Sequence, residues 1–396
     1  MFSEFIGPRR PLSWTFQFWP VLVLSLLCAL AATWLVKKIA LKYGIVDKPD
    51  NIVKTHKEPV AYLGGVAMLV GLAAGILAGI YCLYDQECFR PVIKWLFGIL
   101  AGAAVACFVG ILDDIFNLSP ARKMLGQVIA SFVLLTVGIK PALHYFTDPL
   151  GWQMPQQLEI ALGIPIVIFF VLGATNSLNL LDGLDGLCAG VTAIITVGML
   201  LLAVHRSTWG FSNVGDPVRI IVCLGLVGSV CGFLPFNRHP AKIFMGDAGS
   251  MMLGFTVAAL MILFAEQVPR WWMASIVVFG LPILDTATAL VRRLLNKRPL
   301  FVSDRGHIYD QMMDRGISLN KTVAICYLLA GLYAFIGIAI SQIRTRYALA
   351  VYIAVVIVSA LLVWKLDFLK MEGLHGARRK NVSGAQSAPS EPHKHC

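Results

Sequence analysis

Apolar residues in this chain do not alternate with polar ones. They run in blocks of about 20, the length that crosses a bilayer core as a helix. Such blocks occupy 17–38, 62–84, 92–112, 121–139, 158–178, 187–205, 218–236, 249–267, 271–291, 321–341 and 346–366. The pattern predicts an all-α integral membrane protein, a polytopic bundle of about 10–11 transmembrane helices. What remains divides the chain into an external segment 1–16, a polytopic domain 17–366 and a cytoplasmic tail 367–396. The Ser/Pro/basic composition of that tail predicts disorder. The first block is too long for the apolar part of a cleavable signal peptide, and Lys37 and Lys38 flank it directly.

Composition agrees with the pattern. Of 396 residues, 58% are hydrophobic and 14% charged, against about 45–50% and about 25% in soluble domains. A net charge of +11 from 33 Lys+Arg and 22 Asp+Glu would suggest nucleic acid in a soluble protein. In a membrane protein it is read by placement instead, and no nucleic-acid partner is expected. The segments 37–61, 113–123, 179–186, 237–248, 292–321 and 365–396 hold 23 of the 33 Lys/Arg. That bias predicts these segments cytoplasmic, the N-terminus outside and the C-terminus inside. The nine cysteines show no metal-binding spacing. Cys82 and Cys88 flank the first external loop, where a pairing stays open. His393, His395 and Cys396 resemble a metal cluster only superficially.

Acidic residues near a membrane need a reason, and here they gather at helix ends on the side assigned to the cytoplasm. The third block ends in Asp113-Asp114-Ile115-Phe116-Asn117. The fifth runs into Asn176-Ser177-Leu178-Asn179-Leu180-Leu181-Asp182-Gly183-Leu184-Asp185-Gly186. The link between the seventh and eighth contains Phe236-Asn237-Arg238-His239-Pro240-Ala241-Lys242-Ile243-Phe244-Met245-Gly246-Asp247-Ala248-Gly249-Ser250. The link after the ninth contains Asp304-Arg305-Gly306-His307-Ile308-Tyr309-Asp310-Gln311. Asp113 and Asp114 offer a base and a cation site, or a helix end facing water. Asn176, Asn179, Asp182 and Asp185 step by three, which predicts a ladder of oxygen ligands along one helical face, broken by Gly183 and Gly186. Asp247 reads as an N-cap or as a hard-cation ligand at a helix N-terminus. Arg305 and His307 supply a cation and a titratable ring for anionic oxygens. Lys54, Lys57, Arg122 and Lys123 read either as positive-inside anchors or as phosphate ligands, with Gln127 one turn beyond Lys123. Oxygen donors favour Mg²⁺ or Mn²⁺ over zinc. Together these parts suit diphosphate chemistry with one lipid partner.

These four motifs resemble those of the polyprenyl-phosphate N-acetylhexosamine-1-phosphate transferases, over roughly residues 15–366. The resemblance implies transfer of a sugar 1-phosphate from a UDP-N-acetylhexosamine to undecaprenyl phosphate. UMP leaves, and the product starts a cell-surface glycan at the cytoplasmic face of a bacterial inner membrane. It implies that Asp113 or Asp114 deprotonates or orients the lipid phosphate. It assigns Mg²⁺ to Asp247 and Asn179, the nucleotide to Asp182 and Asp185, phosphate contact to Lys123, and a catalytic part to His307. The family's His-x-His motif is His307-Ile308-Tyr309 here, so a clamp of two histidines is not available. Phospho-MurNAc-pentapeptide transferases carry a longer histidine run at this place and usually a lysine where Asn117 stands, and both differences favour the WecA/TagO-type branch acting on UDP-GlcNAc. UDP-MurNAc-pentapeptide and UDP-GalNAc stay open as donors, and a homodimer is compatible with the sequence. Direct attack by the lipid phosphate is the simpler mechanism, a covalent aspartyl carrier the other. A transporter would place its binding groups near the bilayer midplane, whereas these acids sit at helix ends.

Overall fold

A computed structural model of the chain describes residues 10–47, 59–148, 151–209, 215–266, 268–298 and 306–369. The helices are α1 (Leu12–Phe16), α2 (Trp19–Tyr43), α3 (Gly64–Leu83), α4 (Arg90–Phe116), α5 (Pro120–Thr136), α6 (His144–Thr147), α7 (Gln156–Leu181) and α8 (Leu187–Thr208). Then come α9 (Asp216–Asn237), α10 (Gly246–Phe264), α11 (Pro269–Val278), α12 (Gly280–Leu295), α13 (Ile308–Asp314), α14 (Leu319–Ser341) and α15 (Thr345–Lys365). A two-residue antiparallel ladder joins β1 (Val46–Asp47) to β2 (Val60–Ala61), with Val46 opposite Ala61, and Ala61 bridges in parallel to Ile243.

Among the described residues nine helices are long and apolar enough to span a membrane, or ten if the bent pair α11–α12 counts as one. Two of the eleven expected blocks differ from a plain crossing. The block 271–291 is broken into α11 and α12, bent by 69°. Pro282 in the first turn of α12 has no N–H for the carbonyl of Val278, and its ring crowds that carbonyl, which favours a kink or break at this point. The block 121–139 forms α5 of 17 residues, and Gly138 follows in a left-handed conformation (φ 86°), which stops the helix.

Helix α10 is the axis of the bundle, and every residue of it except Asp247 is buried. Glycines let its neighbours come this close. A Cβ on Gly110 of α4 would strike the Asp247–Ala248 backbone, and one on Gly254 would strike Thr175 of α7. On the periphery, α15 buries only Ala348 and Val363, which leaves an apolar face suited to lipid. Because successive long helices run in alternate directions, the C-terminal ends of α4, α7 and α9 meet the N-terminal ends of α5, α8 and α10 at one end of the bundle. The sequence motifs are therefore brought together by chain reversal. Cys82 and Cys88 are both free thiols.

Candidate active site

The site is built on Lys123. Pro120, in the first turn of α5, presets the helix start, and Lys123 follows within the same turn. Its Nζ donates to Asp113 Oδ2 at 2.7 Å, to Asn179 Oδ1 at 3.0 Å and to Asp247 Oδ2. Thus α4, α5, α7 and α10 each send one polar group to one point. Asn179 also donates to the other Asp247 oxygen at 2.7 Å and to Ser250 Oγ at 3.0 Å. One turn deeper, Asn176 donates to Gln127 at 2.9 Å.

The paired aspartates divide their work. Asp113 points into the cluster and also accepts the Leu118 N–H at 2.8 Å. Asp114 turns to α10 and accepts the backbone N–H groups of Asp247 (2.9 Å) and Ala248 (3.2 Å). It caps the N-terminus of the central helix, where a carboxylate is favoured, and this fixes where Asp247 stands. Asp247 therefore does not cap its own helix.

The expected ladder stops at Leu181, where α7 ends. Asn176 and Asn179 share the face toward α5, while Asp182 and Asp185 lie in the turn that follows. The Asp182 carboxyl is held well above the usual carboxylate range, by burial first and then by Asp247, Asp114 and Asp185. Asp185 is drawn to the α9–α10 link, where it meets His239 Nδ1 at 2.7 Å and accepts the Ala241 N–H at 3.1 Å. Asn237 ties the same link to the turn, accepting from the Gly186 N–H at 3.2 Å.

His307 lies at the start of α13, and Arg305, Lys54 and Lys57 fall outside the described residues. The His307 ring is buried and bonded through Nδ1 to Asp285 Oδ2 at 2.7 Å. Tyr309, where the motif resemblance expects a second histidine, donates to the Leu180 carbonyl at 2.9 Å. Burial first, then Asp310, Asp285 and Asp182, keep its phenol protonated for that bond. Two residues near the site were not singled out from the sequence. Tyr62 lies edge-on to Phe244, ring centroids 6.1 Å apart. Burial first, then Asp47, Asp114, Asp182 and Asp247, push its phenol up. Asp285 was signalled by an acid inside an apolar block. Tyr62 gave no signal.

The donor set fits a hard cation. Asp113, Asp247 and Asn179 turn three oxygens toward the Lys123 ammonium, so the point they share already accommodates positive charge. Carboxylate and amide oxygens suit Mg²⁺ or Mn²⁺. No cluster of three or more His, Cys, Asp and Glu side chains forms a metal site among the described residues.

A model of glycosyl transferase family 4 matches residues 96–265, which carry three of the four motifs. A probable undecaprenyl-phosphate N-acetylglucosaminyl 1-phosphate transferase of Bacillus subtilis is 34% identical over 325 residues, 81% of this chain and 84% of that protein. The chain belongs to glycosyl transferase family 4. Within it, the chain is also similar to the undecaprenyl-phosphate alpha-N-acetylglucosaminyl 1-phosphate transferase of Yersinia pestis, at 29% identity over 80% of this chain and 82% of the other. A phospho-N-acetylmuramoyl-pentapeptide-transferase of Bacillus cereus is 30% identical over a shorter stretch, 59% of this chain and 70% of that enzyme. The longer matches are thus to proteins named for N-acetylglucosamine.

Proposed function

We propose that this membrane transferase moves N-acetylglucosamine 1-phosphate from UDP-GlcNAc to undecaprenyl phosphate, releasing UMP at the cytoplasmic face of a bacterial inner membrane. The observation that carries this reading is the convergence of Asp113, Lys123, Asn179 and Asp247 from four helices on one point. The relatives' names supply the lipid phosphate and the N-acetylglucosaminyl 1-phosphate group, the motif resemblance supplies the UDP donor, and the Lys/Arg bias supplies the face and the orientation, N-terminus outside and C-terminus inside.

The reaction joins two phosphorylated substrates, so its main demand is relief of repulsion between anions. Asp247 and Asn179 would hold a divalent cation, with Asp113 beside them. When bound, that cation neutralises phosphate charge and polarises the phosphorus–oxygen bond to be broken. Lys123 binds phosphate as a point charge. Asp113 orients the lipid phosphate and accepts a proton from its protonated form. An oxygen of the lipid phosphate then attacks the phosphorus that carries the sugar, and the bond to the UMP oxygen breaks. Asp182 and Asp185 form the turn that receives the nucleotide. Arg305 and His307 would supply a cation and a titratable ring to the anions. An apolar groove of about 240 Å³ between α11–α12 and α14–α15, lined by Ile276, Ile283, Leu284, Tyr352 and Val356, suits part of the apolar chain of the acceptor.

The test is UMP release by purified enzyme from a panel of UDP-sugars, with and without undecaprenyl phosphate and with and without Mg²⁺. UDP-GlcNAc should be the preferred donor, and release should require both lipid and metal. Preference for UDP-MurNAc-pentapeptide or UDP-GalNAc would overturn the choice of sugar. Stoichiometric UMP without lipid would replace direct attack with a covalent carrier.

A further inference from the structure

Asp285 is an acid in the middle of a block that ought to be apolar, and only 1% of its surface is exposed. Both of its oxygens are used. Oδ2 meets His307 Nδ1 at 2.7 Å, and Oδ1 accepts the Ile308 N–H at 2.7 Å. The neighbouring Thr286 donates to Ser177 Oγ at 2.8 Å, so α12 is fixed against the helix that carries Asn179. The His307 ring stacks on Tyr309, centroids 5.5 Å apart and planes 11° apart. Tyr309 in turn leans on the turn after α7, where a Cβ on Gly183 would lie 2.6 Å from Tyr309 Cζ.

We infer that Asp285 is a positioning residue for the transfer: it fixes the tautomer and plane of His307, and the stack on Tyr309 holds that plane against the Asp182–Gly186 turn. This rests on the proposed reaction. A carboxylate only accepts hydrogen bonds, so Nδ1 must carry the proton. The proton chemistry available to phosphate oxygens is thereby assigned to the other ring nitrogen, Nε2. Packing alone does not call for an acid here, because a buried carboxylate is costly and an apolar side chain of similar volume holds helices at least as well.

The test uses Asp285→Asn. Asparagine keeps the Ile308 bond and can donate to Nδ1, which preserves the geometry but reverses the tautomer. Melting temperature should stay within about 2 °C of the parent, while kcat for UMP release falls by about a hundredfold to ten-thousandfold, the range that general acid–base catalysis contributes, with a wrong tautomer at the upper end. KM for UDP-GlcNAc should change less than about threefold, because the effect falls on chemistry rather than binding. In a His307→Ala background the same substitution should cost less than about twofold, since a residue acting through the ring loses its object. Unchanged kcat in Asp285→Asn, or a full loss again in the His307→Ala background, would overturn the inference. Hydrogen–deuterium exchange at C2 of the His307 ring, followed by mass spectrometry, needs no turnover. It should slow about threefold or more in Asp285→Asn, because exchange runs through the imidazolium that the carboxylate favours. Equal rates overturn the positioning role even if UDP-GlcNAc is not the donor. A wild-type enzyme that ignores UDP-GlcNAc but shows the slowed exchange in the variant overturns the reaction alone.

Discussion

Replacing Lys123 by methionine removes the one ammonium shared by Asp113, Asp247 and Asn179 and keeps most of the side chain's volume. The contacts at 2.7 Å to Asp113 and 3.0 Å to Asn179 are close enough for charge-assisted hydrogen bonds. At an effective permittivity of about 20, charges about 3 Å apart attract by about 5–6 kcal/mol, but desolvation cancels much of that. Breaking a buried pair costs about 3–5 kcal/mol, while an exposed one costs about 0–1. Side-chain exposures of 15% for Lys123, 12% for Asp113 and 30% for Asp247 put the cluster nearer the buried case. Proton uptake by one carboxylate returns part of the loss, so about 2–3 kcal/mol is expected. For a chain of 396 residues that lowers the melting temperature by about 2–4 °C. The assay is thermal unfolding in detergent followed by the fluorescence of the nine tryptophans, in EDTA and in excess Mg²⁺. Without Lys123 the two carboxylates become a better cation site. A free cation at about 100 times its Kd returns about 2.7 kcal/mol, so Mg²⁺ should recover most of the loss. Equal melting temperatures of parent and Lys123→Met in EDTA would refute the reasoning.

Asp247→Ala should abolish divalent-metal-dependent UMP release, and normal activity in that variant would remove Asp247 from the metal site. Gly110→Val places a side chain against the first turn of α10; overpacking of this kind costs about 1–3 kcal/mol, and activity should fall at least about tenfold through displacement of Asp247. Asp182 holds its proton to higher pH in the folded chain than in the unfolded one, so stability is lost as pH rises through the folded value. Asp182→Asn removes that loss, and melting scans should show a larger gain at pH 8 than at pH 5; equal gains would count against a raised carboxyl.

Block length located the helices because a bilayer leaves a chain few alternatives to a helix of about 20 residues. It could not show the break between α11 and α12, since Pro282 lies in an apolar run whose mean hydropathy a single proline hardly changes. Nor could it show which helix becomes the axis. Helices α10 and α15 are both largely apolar, yet one buries all but Asp247 and the other only Ala348 and Val363. The difference lies in close approach at glycines such as Gly110 and Gly254. It depends on which chains meet, which is not a property of any one block.

The candidate site was legible wherever acids and amides gathered at helix ends on one side, because several such residues together exceed what capping of single helices requires. Spacing failed where the helix itself stopped: the step of three from Asn176 to Asp185 implies one face, but α7 ends at Leu181 and sends Asp182 and Asp185 elsewhere. It also could not divide Asp113 from Asp114, adjacent residues whose side chains leave the helix about 100° apart, one toward Lys123 and one toward the α10 backbone. Asp285 shows what the rule should have included. An acid inside a span carries a larger desolvation cost than one at its end, so it demands a partner more strongly. The only groups able to satisfy it are those brought in by another element. In this chain that element is the start of α13, which makes a lone aspartate in a hydrophobic block evidence about the histidine it meets 22 residues later.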